Sequence, residues 1–480
     1  MTTLGPAADG TATSPTPTAP PEPASTSRLP ALDVLRGLAI LGTLLTNIWI
    51  FSAARSEGSL SGQGGDVGGA DAADTWQQVL SNGLNLVTDG KWIGLLTIMF
   101  GIGMEIQRQS ALRRGEKWPG TYPWRAGLLI VEGLANYIFV FEFDVLMRYG
   151  LTALAVAAVL ATSPRAQKIW LAVGITVHLA LLTLLSAPDL LLRLMAGTGT
   201  LDGPASIVAG EPSAGLRGAL DELSTLDPAS VSRATIDAVA ARHGVSGAEA
   251  GLLEWGRNML HLGTDSYWAM VQSRLGGFWA GRAEIPIMFT MGLGLFLVGA
   301  FLYRAGLFTP AGRRLRLQVM ALSFGLGLPL DVTLRLWFSE VAGAFPRYCT
   351  STLVAFGVLA LVAHWYANGR TPGWFGRALA NVGKMVLTCY IAQNAIASVI
   401  FYDFGLGVAR LIPAEWEQPV TLGLYACIAA LLMFFSTMWL QCFSRGPAEW
   451  LMHAAHGWLV ERVHRPLAAR RARRRACVTT

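Results

Sequence analysis

The apolar positions of this chain gather into about ten long runs, over residues 30–52, 87–107, 124–142, 145–162, 168–186, 284–304, 316–338, 349–367, 378–402 and 419–442. Each has roughly the length that a helix needs to cross the hydrocarbon core of a bilayer. The pattern predicts an all-α fold: a polytopic membrane bundle of about ten transmembrane helices with a small extracytoplasmic helical insertion. The insertion is the polar interval 187–282, in which DPASVSRATIDAVAARHG, from Asp227 to Gly244, has a helix start and a glycine stop. Residues 247–262 read as a second short helix.

Between the runs, charge alternates from loop to loop. Arg108, Arg113, Arg114 and Lys117 follow the second run, Arg165 and Lys168 the fourth, Arg304, Arg313, Arg314 and Arg316 the sixth, and Arg370 and Arg377 the eighth. The opposite loops carry Asp66, Asp71 and Asp74, or Asp403, Glu415 and Glu417. Cytoplasmic loops are the ones enriched in Lys and Arg, so both termini are expected in the cytoplasm. The organisation that follows is a disordered tail over 1–27, an N-terminal five-helix half over 28–186, the insertion over 187–282, a C-terminal five-helix half over 283–453 and a basic cytoplasmic tail over 454–480. The first 27 residues are rich in Pro, Thr and Ala and lack the basic-then-apolar order of a signal peptide.

Composition sharpens the class. Of 480 residues 52% are hydrophobic and 14% charged, where soluble domains carry nearer a quarter charged. The five Cys include no C-x-x-C pair, and His453 and His456 have no further ligands at metal spacing, so no disulfide framework and no metal site is read. Arg462, Arg465, Arg470, Arg471, Arg473, Arg474 and Arg475 form a tail suited to anionic lipid headgroups. The bilayer and those headgroups are the expected partners; nucleic acid is not needed to explain the charge.

The chemistry lies in polar residues that interrupt the apolar runs, because an ionisable group in a membrane helix is costly and marks function by default. RLPALDVLRGLAILGTLLTNIWIF, from Arg28 to Phe51, holds Asp33, Arg36 and Asn47. Eleven residues turn a helix by about 1100°, so Arg36 and Asn47 share a face about 16 Å apart, with Asp33 on the same side. Glu132 lies in the third run with Asn136 one turn on, and offers either a proton relay or general base or a neutral acid bonded to a neighbouring helix. Asp331 and Arg335 are spaced i,i+4 after Pro329, either as an ion pair that helps packing or as the lining of an outward pocket. His178 reads as a hydrogen-bonded core residue. In the ninth run Tyr390, Gln393 and Asn394 fall on one side and Lys384 and Thr388 on another, so this helix has to pack centrally. Arg445 and Glu449 flank a Gly-Pro break, with Trp450 at headgroup depth.

LDVLRGLAILGTLLTNI at 32–48 and WIGLLTIMFGIG at 92–103 resemble the opening segments of the YeiB-like bacterial membrane proteins, a family defined by a domain of unknown function. VGKMVLTCYIAQN at 382–394 and SRGPAEWLMH at 444–453 resemble two later segments, and Arg125, Gly133 and Asp144-Val-Leu a further one. The resemblance runs in order from Arg28 to His453 and implies a bacterial cytoplasmic membrane. Lys384, Cys389 and Asn394 depart from the residues usual at those positions, and Asn136 stands near a frequent His.

The first helix also resembles that of transmembrane acyltransferases, which pass an acyl group from cytoplasmic acyl-CoA to a sugar or other acceptor across the membrane. Their Arg is followed, eleven residues on, by a His proposed to be catalytic; here that position is Asn47. An amide is no general base at neutral pH. The resemblance thus implies Asn47 as an orienting or oxyanion group, and Glu132 and Asp331 as the carboxylates able to take a proton. It implies a substrate-binding set of Asp33, Arg36, Arg125, Lys384, Tyr390, Gln393, Arg445 and Glu449, with Arg36 on a donor phosphate. No tightly bound cofactor is expected; acyl-CoA would be a donor substrate. The alternative is a small-solute transporter or export component.

Overall fold

The computed structural model describes residues 29–52, 75–197, 214–226, 233–245, 266–276, 278–279, 282, 284–338, 342–413 and 416–466. The expected N-terminal tail, the acidic residues Asp66, Asp71 and Asp74, Glu415, the expected helix over 247–262 and the arginines from 470 onward lie outside them.

The described residues contain helices and no strands. The principal helices are α1 (Pro30–Ser52), α2 (Thr75–Thr88), α3 (Lys91–Arg113), α4 (Tyr122–Phe139), α5 (Leu146–Leu160), α6 (Pro164–Gly197), α7 (Ala214–Thr225), α8 (Arg233–Arg242), α9 (Tyr267–Gly276) and α10 (Ile285–Arg304). They continue as α11 (Pro310–Leu336), α12 (Pro346–Tyr366), α13 (Trp374–Lys384), α14 (Val386–Phe401), α15 (Glu417–Cys442) and α16 (Pro447–Leu459).

Seven helical stretches among the described residues are long and apolar enough to cross a membrane, or eight if α13 and α14 are counted as one span broken by a 90° bend. The ten expected runs are therefore not ten equal spans. The stretches expected over 124–142 and 145–162 form α4 and α5, of 18 and 15 residues. Fifteen residues rise only about 22 Å, short of a hydrocarbon core of about 30 Å. Arg125, Glu132 and Asn136 make α4 too polar to match the long spans. α4 and α5 pack antiparallel: a Cβ at Gly133 would overlap Met147, and one at Gly150 would press on Ala126 and Ile130. The ninth run breaks at Met385, which leaves α-helical dihedrals (φ −118°, ψ 40°) between α13 and α14.

α1 is the axis of the bundle. Its membrane-length window is 83% buried, against 22% for α6 and 17% for α11 at the rim. It packs on α3, α12, α13, α14 and α15. Helices in lipid gain little from apolar burial against one another, so close association depends on small residues at the crossings. Gly37 and Gly383 supply this for α1 and α13: a Cβ on either would overlap a backbone carbonyl, that of Leu379 or of Asp33. Gly101 and Gly299 do the same where α3 crosses α10. Gly383→Ala is expected to destabilise the fold by at least the 1–3 kcal/mol typical of overpacking, about, and Gly37→Ala similarly. Thermal unfolding of the purified variants checks this; melting temperatures equal to the unsubstituted protein's would refute the tight crossing.

Polar ties hold the basic end. Buried Glu105 accepts from Arg108 Nε at 2.9 Å, Gln109 Nε2 at 2.9 Å and Arg304 Nη2 at 2.7 Å, and Arg304 Nη1 donates to Gln167 Oε1 at 2.7 Å. The carboxylate thereby joins α3 to α10, and Arg304 carries the tie on to α6. His178 sits between Thr290 Oγ1 at 3.0 Å and the Tyr348 carbonyl at 3.1 Å, a core histidine held on both ring nitrogens.

Candidate functional site

At the basic end of the bundle α1, α3, α4, α5, α13, α14 and α16 surround a cavity of about 270 Å³. Arg36 of α1, Arg125 of α4 and Lys384 of α13 reach it from three directions. The 90° bend is what delivers Lys384: it ends α13 beside the start of α14 instead of one turn down a straight helix. The inner wall is apolar, with Ile40, Leu96, Met99, Phe100, Leu129 and Leu146. A cationic rim over an apolar recess suits an amphiphile with an anionic head.

The rim residues are held in place by neighbours. Arg36 Nη1 lies 3.4 Å from Asp33 Oδ1, so Asp33 orients Arg36 from behind. Arg125 Nη1 donates to Gln107 Oε1 at 3.1 Å, and Lys384 Nζ to Asn381 Oδ1 at 3.2 Å. Both partners are neutral amides, which leave the cations' charge uncancelled. Glu449 also lines the cavity, but its carboxylate accepts from Leu387 N at 2.7 Å, Thr388 N at 3.3 Å and Thr388 Oγ1 at 2.6 Å. It caps α14 from α16, satisfying backbone donors that a helix start leaves open and opposing the positive end of the helix dipole. Glu449→Ala is expected to destabilise by about 1–3 kcal/mol, the cost of a buried donor left unmade, with Glu449→Gln intermediate. Unfolding curves of the two variants check this ranking, and an alanine variant as stable as the parent contradicts the capping role.

The remaining expected site residues divide between this cavity and other places. Tyr390 lines the cavity, and its hydroxyl accepts from Val145 N at 3.2 Å. Glu132 is one turn beyond Leu129 on the same stripe of α4 as Arg125. Among the described residues it has no ion pair or hydrogen bond. Asn47 is deeper along α1, where its Nδ2 donates to Asn394 Oδ1 at 3.3 Å, with Gln393 beside Asn394. Asn47 and Gln393 are not among the residues that line the cavity. Arg445 is exposed outside it.

Asp331 belongs to a different centre, at the opposite end. It is fully buried and accepts from Lys91 Nζ at 2.6 Å, Arg335 Nε at 3.2 Å and Thr350 Oγ1 at 2.6 Å. Arg335 Nη1 also donates to Asp89 Oδ2 at 2.7 Å, and Arg347 Nη1 lies 3.4 Å from Asp89 Oδ1. Asp89, Lys91 and Arg347 were not singled out from the sequence, and neither were Gln107 and Tyr122 at the cavity. Lys91 and Asp331 are 240 residues apart, so no local spacing announces the pair. The turn Asp89-Gly90 places both acid and base; Gly90 has φ 77°, and a Cβ there would strike the Arg347 carbonyl. A third polar centre closes the α4–α5 turn. Asn136 Nδ2 donates to Asp144 Oδ1 at 2.9 Å, Glu142 pairs with Arg274 at 2.6 Å, and Arg148 pairs with Glu284.

Fold and cavity together define an all-helical polytopic membrane protein with an apolar recess under a cationic rim. Residues 302–458, from the end of α10 through most of α16, match the family described as Protein of unknown function (DUF418). It is 26% identical over 438 residues to Uncharacterized protein YeiB of Escherichia coli strain K12, covering 88% of this chain and 94% of the relative. It is 24% identical over 436 residues to Uncharacterized protein YxaH of Bacillus subtilis strain 168, covering 89% and 94%. No solved structure matches the chain. Lys384, Tyr390 and Glu449 lie inside the family region, whereas Arg36 and Arg125 lie outside it.

Proposed function

We propose that this protein is a membrane acyltransferase that takes an acyl group from a cytoplasmic acyl-CoA and passes it to a hydroxyl-bearing envelope or extracytoplasmic acceptor. The observation that carries the reading is the convergence of Arg36, Arg125 and Lys384 on one apolar-walled cavity. The cations suit the phosphates of the donor, Arg being able to grip them bidentately, and the apolar recess suits its acyl chain. Glu132, on the cavity stripe of α4 and without a partner of its own, is the proton acceptor. The acceptor oxygen attacks the thioester carbonyl, the C–S bond breaks, and the hydroxyl proton passes through Glu132 to the departing thiolate. Asp331 is not used, because its carboxylate is committed to Lys91 and Arg335.

The reading requires the basic end to face the cytoplasm. With α13–α14 counted as one span there are eight, and the α4–α5 hairpin returns to the side it leaves, so the even count puts both termini on that side, with the arginine tail against anionic headgroups. A reporter fused near residue 240 is then active only outside the cytoplasm, and cytoplasmic activity there rejects this orientation.

The direct test is equilibrium binding of palmitoyl-CoA to the purified full chain in phosphatidylcholine nanodiscs. Saturable binding is expected, about 10- to 100-fold weaker in Arg36→Ala, because a hydrogen bond to a charged group contributes about 1.5–3 kcal/mol. Binding that is absent, or equal in the variant, rejects the donor site. One observation favours a second reading: discontinuous helices such as α13–α14 form the substrate sites of many transporters. Under that reading the cavity holds an anionic amphiphile for export, and vesicles show its movement with no acyl transfer.

A further inference from the structure

α16 is the wall of the cavity that faces away from the bundle. Glu449 and Met452 line the lumen, yet α16 has no buried residue, unlike the other helices around the cavity. It lies across two of them, α14 and α4. Its near end is anchored on α14, where Glu449 forms the cap and Thr388 Oγ1 accepts from Ala448 N at 3.0 Å. Its far end continues helically through His464 and meets the start of α4. There His456 Nε2 donates to the Thr121 carbonyl at 3.4 Å, and Trp124 Nε1 donates to His464 Nδ1 at 3.2 Å. Both exceed the typical length of about 2.9–3.0 Å. The chain enters α16 at Gly446, whose backbone is extended (φ −70°, ψ 163°) and where a Cβ would overlap the Glu449 carboxylate and the Thr388 hydroxyl. Held firmly beside this entry point and loosely at its tip, α16 is built as a strap.

The helical period gives this strap two opposed faces. Glu449, Met452, His456, Leu459 and Val463 form the inward one, each half-buried. Trp450, Leu451 and Trp458 form the outward one, each more than half exposed. Arg462 and Arg465, both exposed, extend the outward face, with Glu461 as its acid. Aromatic and leucine side chains followed by arginines make the face of a helix that lies in the plane of a bilayer interface. The sequence adds Arg470, Arg471, Arg473, Arg474 and Arg475 directly beyond. Base therefore outweighs acid on this face, and the surface complementary to it is an anionic bilayer.

We propose that α16 is a lipid-operated strap over the cavity. An anionic bilayer surface, engaged by Trp450, Trp458, Arg462 and Arg465, holds α16 seated across α14 and α4. Where that surface is neutral, the far end lifts about Gly446 and the cavity opens beside Met452. Seating and opening are possible in turn because the lipid-facing and cavity-facing residues lie on opposite sides of one helix. Control of acyl-CoA exchange by the strap rests on the donor reading given above, and the seating of α16 on lipid does not.

The test compares the full chain in nanodiscs of phosphatidylcholine alone and of phosphatidylcholine mixed two to one with phosphatidylglycerol. In the anionic discs, amide hydrogen exchange over residues 447–464 is slower by at least about fivefold, the factor that one basic residue near an anionic surface contributes. N-ethylmaleimide labels Met452→Cys more slowly there by a similar factor, with the labelled position read by peptide mass. High salt removes both differences, because the attraction acts across water. Charge reversal by Arg462→Glu with Arg465→Glu also removes them while the unfolding temperature stays at the parent's; Trp458→Ser weakens them and provides a second variant. Equal exchange in the two lipids, or a difference that survives charge reversal, overturns the lipid contact. Lipid-dependent exchange with equal labelling at position 452 overturns the strap. Glycerol 3-phosphate that gives the same protection in neutral discs assigns the arginines to a soluble anion and overturns the bilayer as partner. Palmitoyl-CoA dissociates more slowly from the anionic discs. A parent that binds no palmitoyl-CoA rejects the donor reading, and labelling at 452 still decides the strap.

Discussion

Asp331→Ala is expected to destabilise the protein by about 3–5 kcal/mol, the range for removing one partner of a buried ion pair. The loss is large because two cations depend on this carboxylate. Without it Lys91, Arg335 and Arg347 share Asp89 as their acid, and Lys91 is itself buried. The cost arises from stranded charge and not from a strong pair, since taking both ions out of water already consumes most of their attraction. Lys91→Met combined with Asp331→Leu should therefore recover much of the stability that Asp331→Ala loses. Unfolding of the purified proteins by heat or denaturing detergent measures both. If Asp331→Ala matches the parent, water reaches the network and its burial is not what holds α3, α11 and α12 together.

Under the proposed acyl transfer, Glu132→Gln is expected to slow the reaction by about 100- to 10,000-fold, the usual contribution of general acid–base catalysis, with palmitoyl-CoA affinity unchanged. The separation of the two effects follows from position. Arg36, Arg125 and Lys384 surround the cavity, whereas Glu132 stands one turn past Leu129 toward the middle of the bundle. Glutamine keeps the size and loses the basicity. Single-turnover transfer from radiolabelled palmitoyl-CoA reads the rate and equilibrium binding reads the affinity. Transfer at the parental rate would remove Glu132 from the chemistry, and a matched loss of binding would make it a structural residue.

The fold was legible wherever apolar length decided it. α1, α6, α10, α12 and α15 lie close to the ranges that their apolar runs suggest. The run over 378–402 was legible as helical and central, but nothing in VGKMVLTCYIAQN marks a right-angle bend; there is no proline, and the break at Met385 depends on a cap supplied by Glu449 some sixty residues later. The α4–α5 pair looked like two spans because hydropathy counts residues, whereas crossing the core depends on rise along the axis. At the cavity, Arg36, Arg125, Lys384, Tyr390 and Glu449 could be named in advance, through the resemblance and through their cost in lipid. Glu449's hydrogen bonds could not, because a carboxylate at a helix start has many partners within reach. Asp331 and Arg335 suggested a local pair at i,i+4; their partners Lys91 and Asp89 lie at the start of the run over 87–107 and were not singled out. Long-range pairing of this kind is set by tertiary contact and leaves no periodic signal.

The length of α6 has a mechanical consequence. Its 34 residues rise about 51 Å, well over the hydrocarbon thickness of about 30 Å. Only 22% of its membrane-length window is buried, so it borders lipid on most sides and its main packing partner is α10. A rod of this kind works as a lever. Tilting it by ten degrees about its basic end, where Gln167 is tied to Arg304, carries the far tip sideways by about 9 Å. Membranes of different thickness impose different tilts on long helices. The polar segment that follows α6 is thus mounted on the part of the protein most responsive to the bilayer around it.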